Sequence, residues 1–165
     1  MSHSLTWAGG RINVTGVFPE TVEGDRLYRA FSLTLARRGP EMARILCVDD
    51  EPHVVTLKCA ILERAGHTAT ASTSARDAID KLQHAAFDAV VTDWRLGDAD
   101  GRGVVAAAKK QSAMPVVVVS GYVAEAFHSE PLADLYLEKP VNPEELVTIV
   151  NRLLTGARDR ISRPE

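Results

Sequence analysis

From Arg44 onward, short apolar runs alternate with longer stretches in which apolar residues recur every three or four positions. Residues 45–48 form a continuous apolar run and read as a buried strand. Pro52 suits the first turn of a helix expected to reach about residue 65, with Gly66 as its stop. Residues 67–71 alternate small side chains, a weak second strand. Ser74 is placed to cap a helix over 75–84, where Ala78, Ile79 and Leu82 make one stripe. Residues 89–92 predict a third strand ending at Asp93, and 103–110 a helix after a polar loop. Residues 115–119 predict a fourth strand ending at Ser120. Residues 135–137 predict a fifth, ending at Glu138-Lys139-Pro140. Asn142 caps a last helix over 143–154, stopped by Gly156.

Continuous Val/Ile/Leu runs alternating with helices imply a parallel sheet covered on both faces. Right-handed crossovers make this a doubly wound α/β domain, with its ligand crevice at the carboxyl ends of the strands. Asp49-Asp50, Asp93, Ser120 and Lys139 stand at those ends. The second strand ends at Ala71-Ser72, as an outer strand would.

The 165 residues suffice for one domain plus an appendage, and 45% apolar content supports a full core. A net charge of -3 provides no basic field, so direct DNA binding is not expected. Cys47 and Cys59 lie inside apolar patterns and read as reduced core residues of a cytoplasmic protein. The apolar run 114–119 is too short to cross a membrane, and MSHSLTWAGG lacks the pattern of a signal peptide. Histidines 3, 53, 67, 84 and 128 show no metal spacing and read as solvated or capping residues.

Three carboxylates converging on one crevice repel one another, and Lys139 offsets one charge. The remainder favours a hard divalent cation. Magnesium suits the site because it takes one or two carboxylates, keeps several waters and accepts a phosphate oxygen. One carboxylate can then attack phosphorus and form an acyl phosphate. A hydroxyl such as Ser120 can hydrogen-bond the product.

Asp49-Asp50, Asp93, Ser120 and Lys139-Pro140, in that order at successive strand ends, closely resemble the receiver domain of bacterial two-component response regulators. The resemblance covers about residues 42–157. It implies a flavodoxin-like, chemotaxis-regulator-like fold with five parallel strands in the order 2-1-3-4-5. It implies Asp93 as phosphoacceptor, Asp50 as a direct magnesium ligand, Asp49 as a ligand through water, and the Arg95 backbone carbonyl as a further ligand. Lys139 would pair with the phosphoryl group, Ser120 would be the switch hydroxyl, and Tyr136 the aromatic that turns inward with it. Lys139-Pro140 would be a cis bond. The implied partners are a histidine kinase as phosphodonor and a downstream protein or phosphotransfer partner. Such a module is not a turnover enzyme.

Three positions depart from the family's habit. Gly97 stands where proline is common, and Gly121 where alanine is common. The stretch from Ser120 to Leu135 is short and holds Pro131, so a shortened fourth helix is expected. Residues 1–41 lie outside the resemblance. They read as a hairpin around Gly9-Gly10, then an amphipathic helix over 25–38 with Leu27, Phe31 and Leu35 on one face. They are either a leader upstream of a start at Met42 or a docking element. Residues 158–165 read as a charged tail, with no output domain expected. The rival class is a haloacid-dehalogenase-type, magnesium-dependent phosphatase or phosphotransferase. Its D-x-D nucleophile motif is lacking in Asp93-Trp94-Arg95, and here the acidic pair precedes the nucleophile.

Overall fold

The computed structural model describes residues 3–7, 10–15, 42–97, 99–111, 114–121, 123, 126 and 132–161. From residue 42 the chain alternates as expected: β3 (Arg44–Val48), α1 (Pro52–Arg64), β4 (Thr68–Ser72), α2 (Ala75–His84) and β5 (Ala89–Asp93). There follow α3 (Arg102–Gln111), β8 (Val116–Ser120), β9 (Leu135–Glu138) and α4 (Pro143–Ile161). Between β5 and α3 the two-residue strands β6 (Arg95–Leu96) and β7 (Ala99–Asp100) pair with each other. The parallel strands run β4-β3-β5-β8-β9, the doubly wound order expected from the sequence.

The expected caps are in place. The Asp77 N–H donates to the Ser74 hydroxyl, and the Glu144 N–H to the Asn142 side chain. Gly66, at φ 93°, closes α1 as the His67 N–H donates to the Leu62 carbonyl. Alternation along the strands sorts the core into two layers. Leu46, Val48, Val90 and Val118 pack with Leu82 of α2 and Val104 of α3. Ile45, Cys47, Val91 and Val117 pack with Leu62 of α1 and Val150 of α4.

Four expectations change. First, the five parallel strands stand as expected, and a hairpin extends the sheet to seven strands among the described residues. The hairpin β1 (His3–Trp7) and β2 (Gly10–Thr15) forms where Gly9-Gly10 placed it, with Trp7 paired to Gly10. Its second strand adds antiparallel to β9, Val14 opposite Leu137 and Thr15 opposite Tyr136. An edge strand offers unpaired N–H and C=O groups that such a hairpin satisfies. Second, α4 does not stop at Gly156 but continues to Ile161, so the expected tail begins as helix. Gly156 has no left-handed φ, and an interior glycine costs a helix only about 1 kcal/mol relative to alanine. Third, His67 is buried rather than solvated: its Nδ1 accepts from the Ala43 N–H, and its Nε2 lies 2.8 Å from the Asn151 side-chain oxygen. Fourth, Tyr136 is already packed inside the α2–α3 layer at 2% exposure, so its inward turn is not a change left to make from this conformation. The helix expected over 25–38 lies outside the described residues. So does most of the expected shortened helix, of which residues 123 and 126 are described, both helical.

Candidate functional site

The strands β3 and β5 lie side by side, with Cys47 opposite Val91. Both residues point toward the α1–α4 layer, and two positions on the same alternation carries Asp49 and Asp93 to that side at the strand ends. Asp50 follows on the exposed rim. One oxygen from each of Asp49, Asp50 and Asp93 lies within 4.8 Å of the others. Asp49 is wholly buried and Asp93 is 7% exposed.

Lys139 reaches this cluster from the end of β9. Its backbone N–H donates to the Ser120 carbonyl, and the bond to Pro140 is cis as the resemblance implied. Its Nζ stands 2.5 Å from Asp93 Oδ2 and 3.6 Å from Asp49 Oδ2. Burial lowers the lysine's proton affinity, but the Asp93 and Asp49 carboxylates outweigh it and hold the ammonium above the usual lysine range. Ser120 ends β8, buried, opposite Glu138 and next along from Val119, which faces Asp93. Tyr136 pairs with Val118, two residues before Ser120 on the same face of the sheet.

The loop after Asp93 explains one departure from the family's habit. Gly97 has φ +66°, and its N–H donates to Asp50 Oδ2 at 3.1 Å. Proline, held near φ −65° and without an N–H, fits neither demand. The Arg95 N–H donates to Asp93 Oδ1 at 3.3 Å, while its side chain is exposed. Trp94, next to Asp93, turns into the α2–α3 layer at 2% exposure.

Sequence reasoning missed two residues. A Cβ on Gly101 would stand 2.7 Å from the Asp93 carbonyl oxygen, and the Gly101 N–H donates to the Trp94 carbonyl at 2.6 Å. Only glycine lets the chain return this close to the end of β5 at Asp93. Nothing local marks it. The second is Lys58, whose Nζ stands 2.7 Å from Asp49 Oδ2 on the buried face of α1. A signal existed: Lys58 interrupts the buried stripe of Val55, Cys59 and Leu62. It also corrects the charge count, because two ammoniums rather than one face the three carboxylates.

The donor set is all oxygen, clustered and partly open, which suits a hard divalent ion. The sequence matches the response regulator receiver domain family over residues 45–151. It is 32% identical over 127 residues to the response regulator SaeR of Staphylococcus aureus, covering 74% of this chain and 55% of that protein. It is 31% identical over 160 residues to the sensor protein GacS of Pseudomonas syringae, covering 85% of this chain and 17% of that protein. A response regulator receiver protein from Sinorhizobium medicae superposes with a TM-score of 0.66 at 36% identity, covering 71% of this chain and 98% of that one. With a parallel sheet in the receiver order, an acidic triad and a lysine at its strand ends, and this match along most of its length, the chain belongs to the receiver-domain family of two-component response regulators.

Proposed function

We propose that Asp93 takes a phosphoryl group from a histidine kinase, with magnesium, and that the modified domain changes its affinity for a downstream protein or phosphotransfer partner. The observation that carries this reading is the Asp93 carboxylate. It is nearly buried, in contact with Lys139, and within 4.8 Å of two further carboxylates. In transfer, a carboxylate oxygen of Asp93 attacks phosphorus as the phosphorus–nitrogen bond of a phosphohistidine breaks, its electron pair returning to the imidazole. Lys139 neutralises charge on the transferred oxygens, and the Ser120 hydroxyl donates to one of them. Asp50 would hold the metal directly, Asp49 through water, with Asp93 and the Arg95 carbonyl completing the protein ligands. When bound, the ion supplies positive charge to the phosphoryl oxygens. Ser120 is the switch hydroxyl, and Tyr136, on the same face of the adjacent strand, already holds the inward position.

The receiver unit is assigned to residues 42–157, with 1–41 an N-terminal extension and 158–165 a C-terminal tail. As a receiver domain the chain is a signalling module rather than a turnover enzyme. Among the described residues no helix is long and apolar enough to cross a membrane. Two free, buried thiols fit a cytoplasmic location. The test is intact-mass analysis after incubation with acetyl phosphate and magnesium. Wild type should gain one phosphoryl group and Asp93→Asn none. Equal labelling of the variant would move the acceptor elsewhere.

A further inference from the structure

Lys58 occupies a place that helix periodicity reserves for an apolar side chain. It lies on the inward face of α1 with Val55, Cys59 and Leu62, and is 6% exposed. Desolvating an ammonium costs several kcal/mol unless a partner stands close, and the partner here is the wholly buried Asp49. Asp49 is already well supplied with donors. Its Oδ2 has Lys58 at 2.7 Å and Lys139 at 3.6 Å, and its Oδ1 accepts the Glu51 N–H at 3.1 Å. Two of its roughly four acceptor positions are taken by hydrogen bonds, and the two ammoniums beside it offset its charge and so weaken its pull on an ion. Asp50 differs. It is exposed, and the Gly97 N–H donates to its Oδ2. The two ammoniums balance Asp49 and Asp93 and leave Asp50 as the net charge.

We propose that Lys58 is an internal counter-cation for Asp49. It weakens the water-mediated hold of that carboxylate on the ion, sets the magnesium affinity of the site low, and leaves the ion chiefly to Asp50 and Asp93. Lys58 acts through Asp49 and is a positioning residue. The proposal rests on reading the three aspartates as the metal cluster.

The test is a magnesium titration of the full chain, read by Trp94 fluorescence in a Trp7→Phe background, together with melting temperatures in EDTA and in saturating magnesium. Lys58→Met keeps the volume and removes the charge. It should bind magnesium at least about tenfold more tightly, since a nearby unit charge acts strongly on a divalent ion at an effective dielectric near 20. It should also melt lower than wild type in EDTA and regain most of the loss in magnesium. Lys58→Arg, which keeps the charge, should titrate like wild type. A purely structural role would give the same loss with and without magnesium. Lys58→Gln retains a donor for Asp49 and serves if the Met variant fails to fold. Unchanged or weaker magnesium affinity in the neutral variants overturns the counter-cation role while leaving the metal site standing. If Asp50→Ala titrates like wild type, the metal is elsewhere and the site reading itself falls.

Discussion

Gly101→Ala inserts one methyl group where the structure has no room. The added Cβ would stand 2.7 Å from the Asp93 carbonyl oxygen, 3.4 Å from Trp94 Cα and 3.5 Å from the Trp94 carbonyl oxygen. All three are backbone atoms, so no side chain can swing away; the start of α3 or the end of β5 must move. Forced overpacking of this kind costs about 1–3 kcal/mol. The Gly101–Trp94 backbone hydrogen bond, 2.6 Å long, stretches or breaks in the same movement, for about 1 kcal/mol more. The sum, about 2–4 kcal/mol, lowers the melting temperature by roughly 8–16 °C at about 4 °C per kcal/mol for a domain of this size. Urea unfolding of the full chain gives the free energy directly, with an unchanged slope showing that both states keep their compactness. Because the displaced backbone belongs to Asp93 and Trp94, labelling by acetyl phosphate should also slow. A variant within about 0.5 kcal/mol of wild type, the range of ordinary surface changes, would show that the close approach is not a real constraint.

Gly156→Ala should stabilise the chain by about 0.5–1 kcal/mol, because Gly156 is helical and an added Cβ meets nothing within 4 Å. Destabilisation would instead mark Gly156 as a left-handed helix stop. Lys139 has its proton affinity raised by folding, so its contribution is fully present well below the ordinary lysine value and is lost as pH climbs through the folded value. The stability difference between wild type and Lys139→Met should therefore be flat near neutrality and shrink above about pH 10.4. A difference constant through strongly alkaline pH contradicts this. Deleting residues 1–41 should speed amide exchange at β9, whose outer edge pairs with Val14 and Thr15. Unaltered exchange there would show that the hairpin does not protect this edge.

Most of the site is written in the chain as strand ends. Apolar runs stop at Asp49, Asp93 and Ser120, and in a parallel sheet covered on both faces such stops fall along one edge. Alternation and capping are local properties, so the strands, the caps at Ser74 and Asn142, and the gathering of acids with Lys139 are legible without coordinates. The hairpin around Gly9-Gly10 is legible for the same reason, but its pairing with β9 is not. Val14 meets Leu137 across more than a hundred intervening residues, at the β9 edge that the parallel strands leave unpaired. Gly156 carries a stop signal that helix continuation overrides at small cost. Gly101 looks like any loop glycine until the backbone returns to within contact of Asp93. Lys58 shows most clearly what packing adds. By sequence it is a charge misplaced on an apolar stripe. Only the docking of α1 against β3 puts its ammonium beside Asp49, and a buried charge is tolerated when its partner is in reach.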